Sequence, residues 1–217
     1  EESLPSFKGK GVFIGNPVRE EFHYLQKKPR NSKLTLLIFG GSQGSHFLNQ
    51  AIVDVLPLLK KEREKLRVFH QTGKKDYEWI KSNYIHNGLE DTVVAPYFFD
   101  IADYFKRSDL IICRAGATTI AELIASQKAS LLIPFSKATD NHQLINAREL
   151  EKIKAAEIIR EEELSPALFS NKIIHFMTNK EKLNQMEENL NSLKIENVAD
   201  KISDLCFDLI GISYQEG

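Results

Sequence analysis

Leu36-Leu37-Ile38-Phe39-Gly40-Gly41-Ser42-Gln43-Gly44-Ser45 is the stretch from which the rest of the chain is best read. Four apolar residues run into two glycines, a third glycine follows, and an amphipathic run extends from Phe47 to Leu59. The pattern predicts a buried strand, a tight turn and the start of a helix. Glycine lets a backbone turn sharply and approach a ligand closely. The unpaired N–H groups at a helix start, with the positive end of its dipole, suit an anion such as phosphate. The same turn would also serve simply to join a strand to a helix. The choice between the two rests on the other segments.

Outward from this turn, apolar runs and polar helical segments alternate. Strands are predicted at Leu66–His70, Thr92–Ala95, Leu110–Cys113, Ser130–Ile133 and Ala156–Ile159, with a short one at Gly11–Gly15. Helices are predicted from Asp76 through His86, after Pro96–Asp100 through Arg107, at Thr118–Ser126 and from Asp140 to Lys152. Glu20 to Lys33 is polar and reads as a connector. No Asn-Gly hairpin signal separates the strands. Strict alternation implies an α/β fold, a Rossmann-like parallel sheet with right-handed crossovers and helices on both faces. Ligands of such sheets bind at the carboxyl ends of the strands, at the switch point. Three further helices are expected at 166–178, 180–193 and 196–210. The last carries Val198, Ile202, Leu205 and Leu209 at helical spacing, a stripe that must cover either this sheet or a partner domain.

Composition narrows the function. The 217 residues are 42% hydrophobic and 27% charged with a net charge of −1, which gives no case for nucleic-acid binding. Two cysteines, Cys113 and Cys206, form neither a disulfide framework nor a zinc pattern. There is no apolar run long enough for a transmembrane helix and no signal peptide. The chain lacks an initiator Met, as an excised piece of a longer protein would.

The glycine turn is not a Walker A loop, because no Lys-Ser or Lys-Thr follows it. It also fails the dinucleotide fingerprint, and no acidic residue closes the next strand where an NAD ribose would need one. What remains is a diphosphate cradle of backbone amides at Gly41, Ser42, Gln43 and Gly44, with the Ser42 hydroxyl as a further donor. Cys113-Arg114-Ala115-Gly116-Ala117-Thr118-Thr119-Ile120-Ala121-Glu122 repeats the theme of a glycine turn before a helix. Glu122 is able to accept both hydroxyls of a ribose. It equally completes a capping box with Thr119. Asp140-Asn141-His142-Gln143 also reads as a cap, while His142 and Gln143 are placed to meet sugar hydroxyls. Tyr97-Phe98-Phe99 can flank a base or fill the core. His70, at a strand end, reads as structural. No Ser/His/Asp, Cys/His or metal-ligand arrangement emerges.

Gly15-Asn16-Pro17-Val18-Arg19, Gly40–Ser45 with Leu48-Asn49, Cys113–Ala117 through Glu122, and Asp140–Gln143 with Asn146-Ala147 occur in this order and spacing. Together they resemble the C-terminal half of the MurG family, the bacterial N-acetylglucosaminyltransferases of peptidoglycan synthesis. The resemblance runs from about Lys8 to Ile159. It implies one half of a two-domain GT-B-type glycosyltransferase, the half that holds UDP-N-acetylglucosamine. Residues 1–18 would end the acceptor domain or its linker, 19–195 would be the donor domain and 196–217 a terminal helix and tail. Arg19 and Ser42 would contact the diphosphate. The backbone at Phe98 would read the uracil edge with Ile101 nearby. Ala117 and Thr118 would face the phosphates, Glu122 would take the ribose hydroxyls, and His142 and Gln143 would face the sugar. The acceptor, lipid I, and the catalytic base would belong to the N-terminal half. No catalytic residue, metal ion or cofactor is expected in this chain. The intact enzyme would sit peripherally on the cytoplasmic face of the inner membrane. Another UDP-sugar glycosyltransferase, an epimerase and a non-catalytic nucleotide-sugar-binding module are the alternatives.

Overall fold

A computed structural model describes residues 11–25, 32–89, 91–193 and 197–210. Six strands, β1 (Leu34–Phe39), β2 (Leu66–Gln71), β3 (Thr92–Ala95), β4 (Leu110–Cys113), β5 (Ser130–Leu132) and β6 (Ala156–Ile158), form one parallel sheet in the order β3-β2-β1-β4-β5-β6. The chain steps outward from β1 in one direction, then returns to β4 and steps outward in the other. The switch point therefore lies between β1 and β4.

The register brings the strand ends level. Phe39 pairs with Gln71 and with Cys113, Gln71 with Ala95, Cys113 with Leu132, and Leu132 with Ile158. All six strands thus finish on one row, and the loops that follow them share one edge.

The helices between the strands are α1 (His46–Leu59), α2 (Tyr77–His86), α3 (Ile101–Arg107), α4 (Ala117–Ser126) and α5 (His142–Lys152), followed by α6 (Pro166–Thr178), α7 (Lys180–Asn189) and α8 (Val198–Leu209). Strand side chains alternate between two cores, as the pleat requires. Leu36 and Ile38 pack with α1, α2, α6 and α7, whereas Leu37 and Phe39 pack with α3, α4 and α5. With both faces covered, every residue of β1 and β4 is buried. Cys113 is a buried core thiol, and burial pushes its pKa upward.

Two expectations change, and a third is narrowed. The strand expected at Gly11–Gly15 does not form, and residues 11–19 carry no regular secondary structure. Val12 and Phe13 are exposed there, and among the described residues no neighbouring strand takes their backbone groups. The expected connector after Glu20 is instead anchored. A 3₁₀ turn at Glu20–Phe22 inserts Phe22, fully buried, edge-on against Phe105 at 5.0 Å. Burial of such a ring contributes roughly 1.5–3 kcal/mol and fixes Arg19 beside the sheet edge. Of the two covers expected for the α8 stripe, this sheet is not the one it takes. Only Val198 of this helix is buried, and Leu209 is 85% exposed.

Candidate functional site

The turn after β1 is tightly wound. Gly44 N–H donates to the Gly41 carbonyl at 3.1 Å, and both residues adopt positive φ, +97° and +78° for Gly41 and Gly44. A Cβ at Gly44 would lie 2.1 Å from the Thr72 carbonyl oxygen, so the turn presses directly on the loop after β2. A Cβ at Gly41 would meet nothing within 4 Å. Ser42 and Gln43 are exposed, and Ser45 caps α1 by accepting from Leu48 N–H. The amides of Gly41, Ser42 and Gln43 are therefore gathered in front of a 14-residue helix at the switch point, whereas the Gly44 N–H, expected to join them, closes the turn instead.

Beneath this turn runs a buried polar chain. Asn49 donates to the Thr72 carbonyl at 2.9 Å and to Asp76 at 2.7 Å, which leaves its Oδ1 to accept from His70 Nε2 at 3.1 Å. His70 Nδ1 then accepts from the Tyr84 hydroxyl, also at 3.1 Å. Burial lowers the His70 pKa to about 3 and raises that of Tyr84, so both stay neutral. His70 is structural, as its position suggested. Asp76 precedes α2 but makes no side-chain cap; its carboxylate serves Asn49 and His46 instead.

Across the switch point, α4 begins at Ala117 with Gly116 as its cap residue and no side-chain capping bond. Thr119 therefore lies inside the first turn, and the capping box with Glu122 does not form. Glu122 instead points to Arg19, whose Nη2 is 3.8 Å from Oε1. Burial raises the Glu122 pKa, and the Arg19 charge opposes part of that rise. Arg19 is half-exposed and rests over the Phe22 ring at 5.0 Å. Ala117 and Thr118 are exposed at the helix start.

The Asp140–Gln143 cap is also absent. Asp140 and Asn141 take left-handed backbone conformations, and α5 has no side-chain cap. Gln143 Oε1 accepts from Ala115 N–H at 3.2 Å and Phe135 N–H at 3.1 Å, while Asn146 donates to the Ala115 carbonyl at 3.1 Å. Gln143 thus fastens the loops after β4 and β5 together. His142 is exposed, with Nδ1 2.6 Å from the Thr139 carbonyl. A carbonyl only accepts, so Nδ1 carries the hydrogen.

The loop after β3 is divided. The Phe98 side chain is buried and stacked on Tyr104 at 3.8 Å, while Tyr97 and Phe99 are exposed and meet edge-on at 5.3 Å. The Phe98 N–H donates to Gln71 Oε1 at 2.8 Å. Of the Phe98 backbone, expected to read the uracil edge, the N–H already has an internal partner. Ile101 begins α3 and is half-buried.

Arg114 and Glu161 have no role in the sequence reading, yet they form the hub of this edge. Arg114 donates to Ser45 Oγ at 2.9 Å and to the Ile133 carbonyl at 3.0 Å, and it pairs with Glu161 at 2.6 Å. Its guanidinium lies between Phe47 and Phe135, 5.4 and 5.5 Å from their ring centroids. Desolvation tends to raise the Glu161 pKa, but Ser136 and Arg114 outweigh it and hold the carboxyl below its usual value. The available signal was a charge directly after a fully apolar strand. Glu161 lies 47 residues further along, and nothing local in the sequence links the two.

Among the described residues no group of three or more His, Cys, Asp or Glu is placed to hold a metal ion.

Residues 35–202 match the family model of the glycosyltransferase family 28 C-terminal domain. The chain is 37% identical over 212 residues to an Anaeromyxobacter sp. (strain Fw109-5) protein named UDP-N-acetylglucosamine–N-acetylmuramyl-(pentapeptide) pyrophosphoryl-undecaprenol N-acetylglucosamine transferase, with 96% of this chain and 55% of that protein covered. The protein of the same name from Myxococcus xanthus (strain DK1622) is 38% identical over 213 residues, covering 97% and 55%. A crystal structure of Acinetobacter baumannii MurG superposes with a TM-score of 0.76 at 29% identity, over 85% of this chain and 54% of that one. The chain spans about half the length of these relatives. With a six-stranded parallel sheet, a glycine turn at its switch point and a family match over most of its length, this chain belongs to the glycosyltransferase family 28 C-terminal domain family.

Proposed function

We propose that this chain is the donor-binding half of an inverting glycosyltransferase that moves N-acetylglucosamine from UDP-N-acetylglucosamine to lipid I in peptidoglycan synthesis. The observation that carries this reading is the convergence at the switch point of the Gly40–Ser45 amides with the Arg19–Glu122 pair. The amides of Gly41, Ser42 and Gln43 take the diphosphate, while that of Gly44 stays on the Gly41 carbonyl and holds the turn. Arg19 leaves a long, half-exposed contact with Glu122 and turns to the phosphate charge. Glu122 is then available to accept the two ribose hydroxyls. Ala117 and Thr118 face the phosphates from α4. Ile101 lies beside the base, and His142 faces the sugar. Gln143 supports that wall by holding Ala115 and Phe135.

In the reaction, a base deprotonates the acceptor hydroxyl, the oxygen attacks the anomeric carbon from the opposite face, and the bond to UDP breaks. Negative charge grows on the leaving diphosphate, where oriented amides and Arg19 stabilise it. The base, the lipid I site and any peripheral attachment to the cytoplasmic face of the membrane are assigned to the N-terminal half, with residues 1–18 leading from it, 19–195 as the donor domain and 196–217 as a terminal tail. No helix among the described residues is long and apolar enough to cross a membrane.

Calorimetry with UDP-N-acetylglucosamine, ADP-glucose and GDP-mannose tests the reading. Selective binding of the UDP sugar without turnover is expected. Equal affinity for all three would reject the donor assignment, and transfer to lipid I by this chain alone would reject its incompleteness. Glu122→Gln is expected to weaken binding about tenfold, the scale of one charge-assisted hydrogen bond. Unchanged affinity would remove Glu122 from the ribose. Burial holds the Glu122 carboxyl above the ordinary carboxylate range, with Arg19 opposing part of the rise. Binding requires its ionised form, so affinity is lost as pH falls through that raised value. The variant should lack this acid limb.

A further inference from the structure

Gln71 ends β2, is almost completely buried and has no part in the roles above. Both ends of its amide are engaged. Oε1 accepts from Phe98 N–H at 2.8 Å, and Nε2 donates to the Gly41 carbonyl at 3.0 Å. The partners fix the amide's orientation, because an N–H must face oxygen and a carbonyl must face the NH₂. The sheet order β3-β2-β1 sets Gln71 between the loops that supply those partners.

In a trans peptide the carbonyl and the following N–H lie in one plane and point in opposite directions. Drawing the Gly41 carbonyl onto buried Gln71 therefore turns the Ser42 N–H away from the interior, and Ser42 is exposed. Gly44 N–H, on the same carbonyl, reinforces that orientation. Holding the Phe98 N–H on Gln71 likewise turns the Tyr97 carbonyl away, and Tyr97 is exposed too. One buried amide thus presents a donor from one loop and an acceptor from the next.

We infer that Gln71 is a positioning residue that aims the Ser42 N–H at the donor's diphosphate and the Tyr97 carbonyl at its base. The inference rests on the donor reading above. With the Phe98 N–H spent internally, it adds the preceding carbonyl to the backbone groups that meet the base. A carbonyl acceptor suits a pyrimidine whose ring N3 carries hydrogen, as in uracil. It opposes cytosine, whose N3 is an acceptor. Gln71 therefore contributes to the choice of a uridine over a cytidine nucleotide as well as to phosphate affinity.

The test is calorimetry of UDP and CDP against the wild-type chain, Gln71→Met and Gln71→Glu, with thermal melts alongside. Gln71→Met keeps the volume and removes both bonds. It is expected to weaken UDP roughly tenfold, as loss of an aligned hydrogen bond does, and to reduce the UDP-over-CDP ratio by a similar factor. In Gln71→Glu the ionised carboxylate still accepts from Phe98 N–H but cannot donate to the Gly41 carbonyl. Relative to wild type, its UDP affinity should be low at pH 8 and recover toward pH 5, where the introduced carboxyl takes a proton and donates again. This pH-dependent rescue is not expected of a residue that merely fills space, and it decides the matter if Gln71→Met fails to fold. Folded variants with UDP affinity and base ratio within twofold of wild type at both pH values would overturn the role of Gln71 alone. Failure of the wild-type chain to bind UDP would overturn the donor reading and this inference with it.

Discussion

Arg114→Met is expected to lower the unfolding free energy at pH 7 by about 3 kcal/mol, since it strands a mostly buried carboxylate. Arg114 and Glu161 side chains are only 9% and 12% exposed, and their 2.6 Å contact spans the sheet edge from β4 to the loop after β6. Methionine preserves much of the volume between Phe47 and Phe135 but supplies no donor. The Ile133 carbonyl loses its Arg114 partner, and Ser45 Oγ keeps only Leu48 N–H. Glu161 keeps only Ser136. Urea unfolding across pH separates the ionic part from packing. The Glu161 carboxyl has a folded pKa below its ordinary 4.5. Its contribution is therefore fully present above 4.5 and is lost as pH falls through the lower folded value. The gap between wild type and variant should narrow over that acid range. A gap independent of pH would mean that Arg114 acts by packing alone. Because Ser45 caps α1 behind the glycine turn, donor affinity should fall with stability in this variant.

Gly44→Ala and Gly41→Ala should separate folding from binding within one turn. At Gly44 the added Cβ meets the Thr72 carbonyl oxygen at 2.1 Å, a backbone atom held in place by Asn49. Positive φ adds a cost of about 1–2 kcal/mol for a residue with a side chain. The overlap adds a backbone shift, so a total loss of about 3 kcal/mol or more is expected for Gly44→Ala. At Gly41 the φ penalty stands alone, because a Cβ there meets nothing within 4 Å. Gly41→Ala should therefore cost only about 1–2 kcal/mol of stability. Its methyl group would occupy open space beside the amides proposed to take the diphosphate, so the loss of UDP-sugar affinity should be disproportionate. Denaturant midpoints together with calorimetry give both quantities. Equal stability losses for the two variants would contradict the close packing of Gly44 on Thr72.

The sequence by itself determined the strand–helix alternation, the parallel sheet and the family. Apolar runs such as Leu110–Cys113 and glycine turns before amphipathic helices are local patterns, and each is set by burial or by backbone geometry within a few residues. The tail helix at 166–178 was legible for the same reason, with Ser165 as its cap and Pro166 in its first turn. Local patterns misled where tertiary partners outbid them. The two apparent capping boxes ending in Glu122 and Gln143 gave way because Arg19 lies near one and the Ala115 and Phe135 amides occupy the other. Gly11–Gly15 has strand-like residues but, among the described residues, no strand beside it.

Only the tertiary structure decided which loops meet. The strand order placed Gln71 between two loops and brought Arg114 to Glu161, and neither relation has a local signature in the sequence. The physical reason is that a side-chain amide or guanidinium is satisfied by any well-placed partner, however distant in the chain. The identity of that partner is fixed by sheet register and packing, which align residues tens of positions apart.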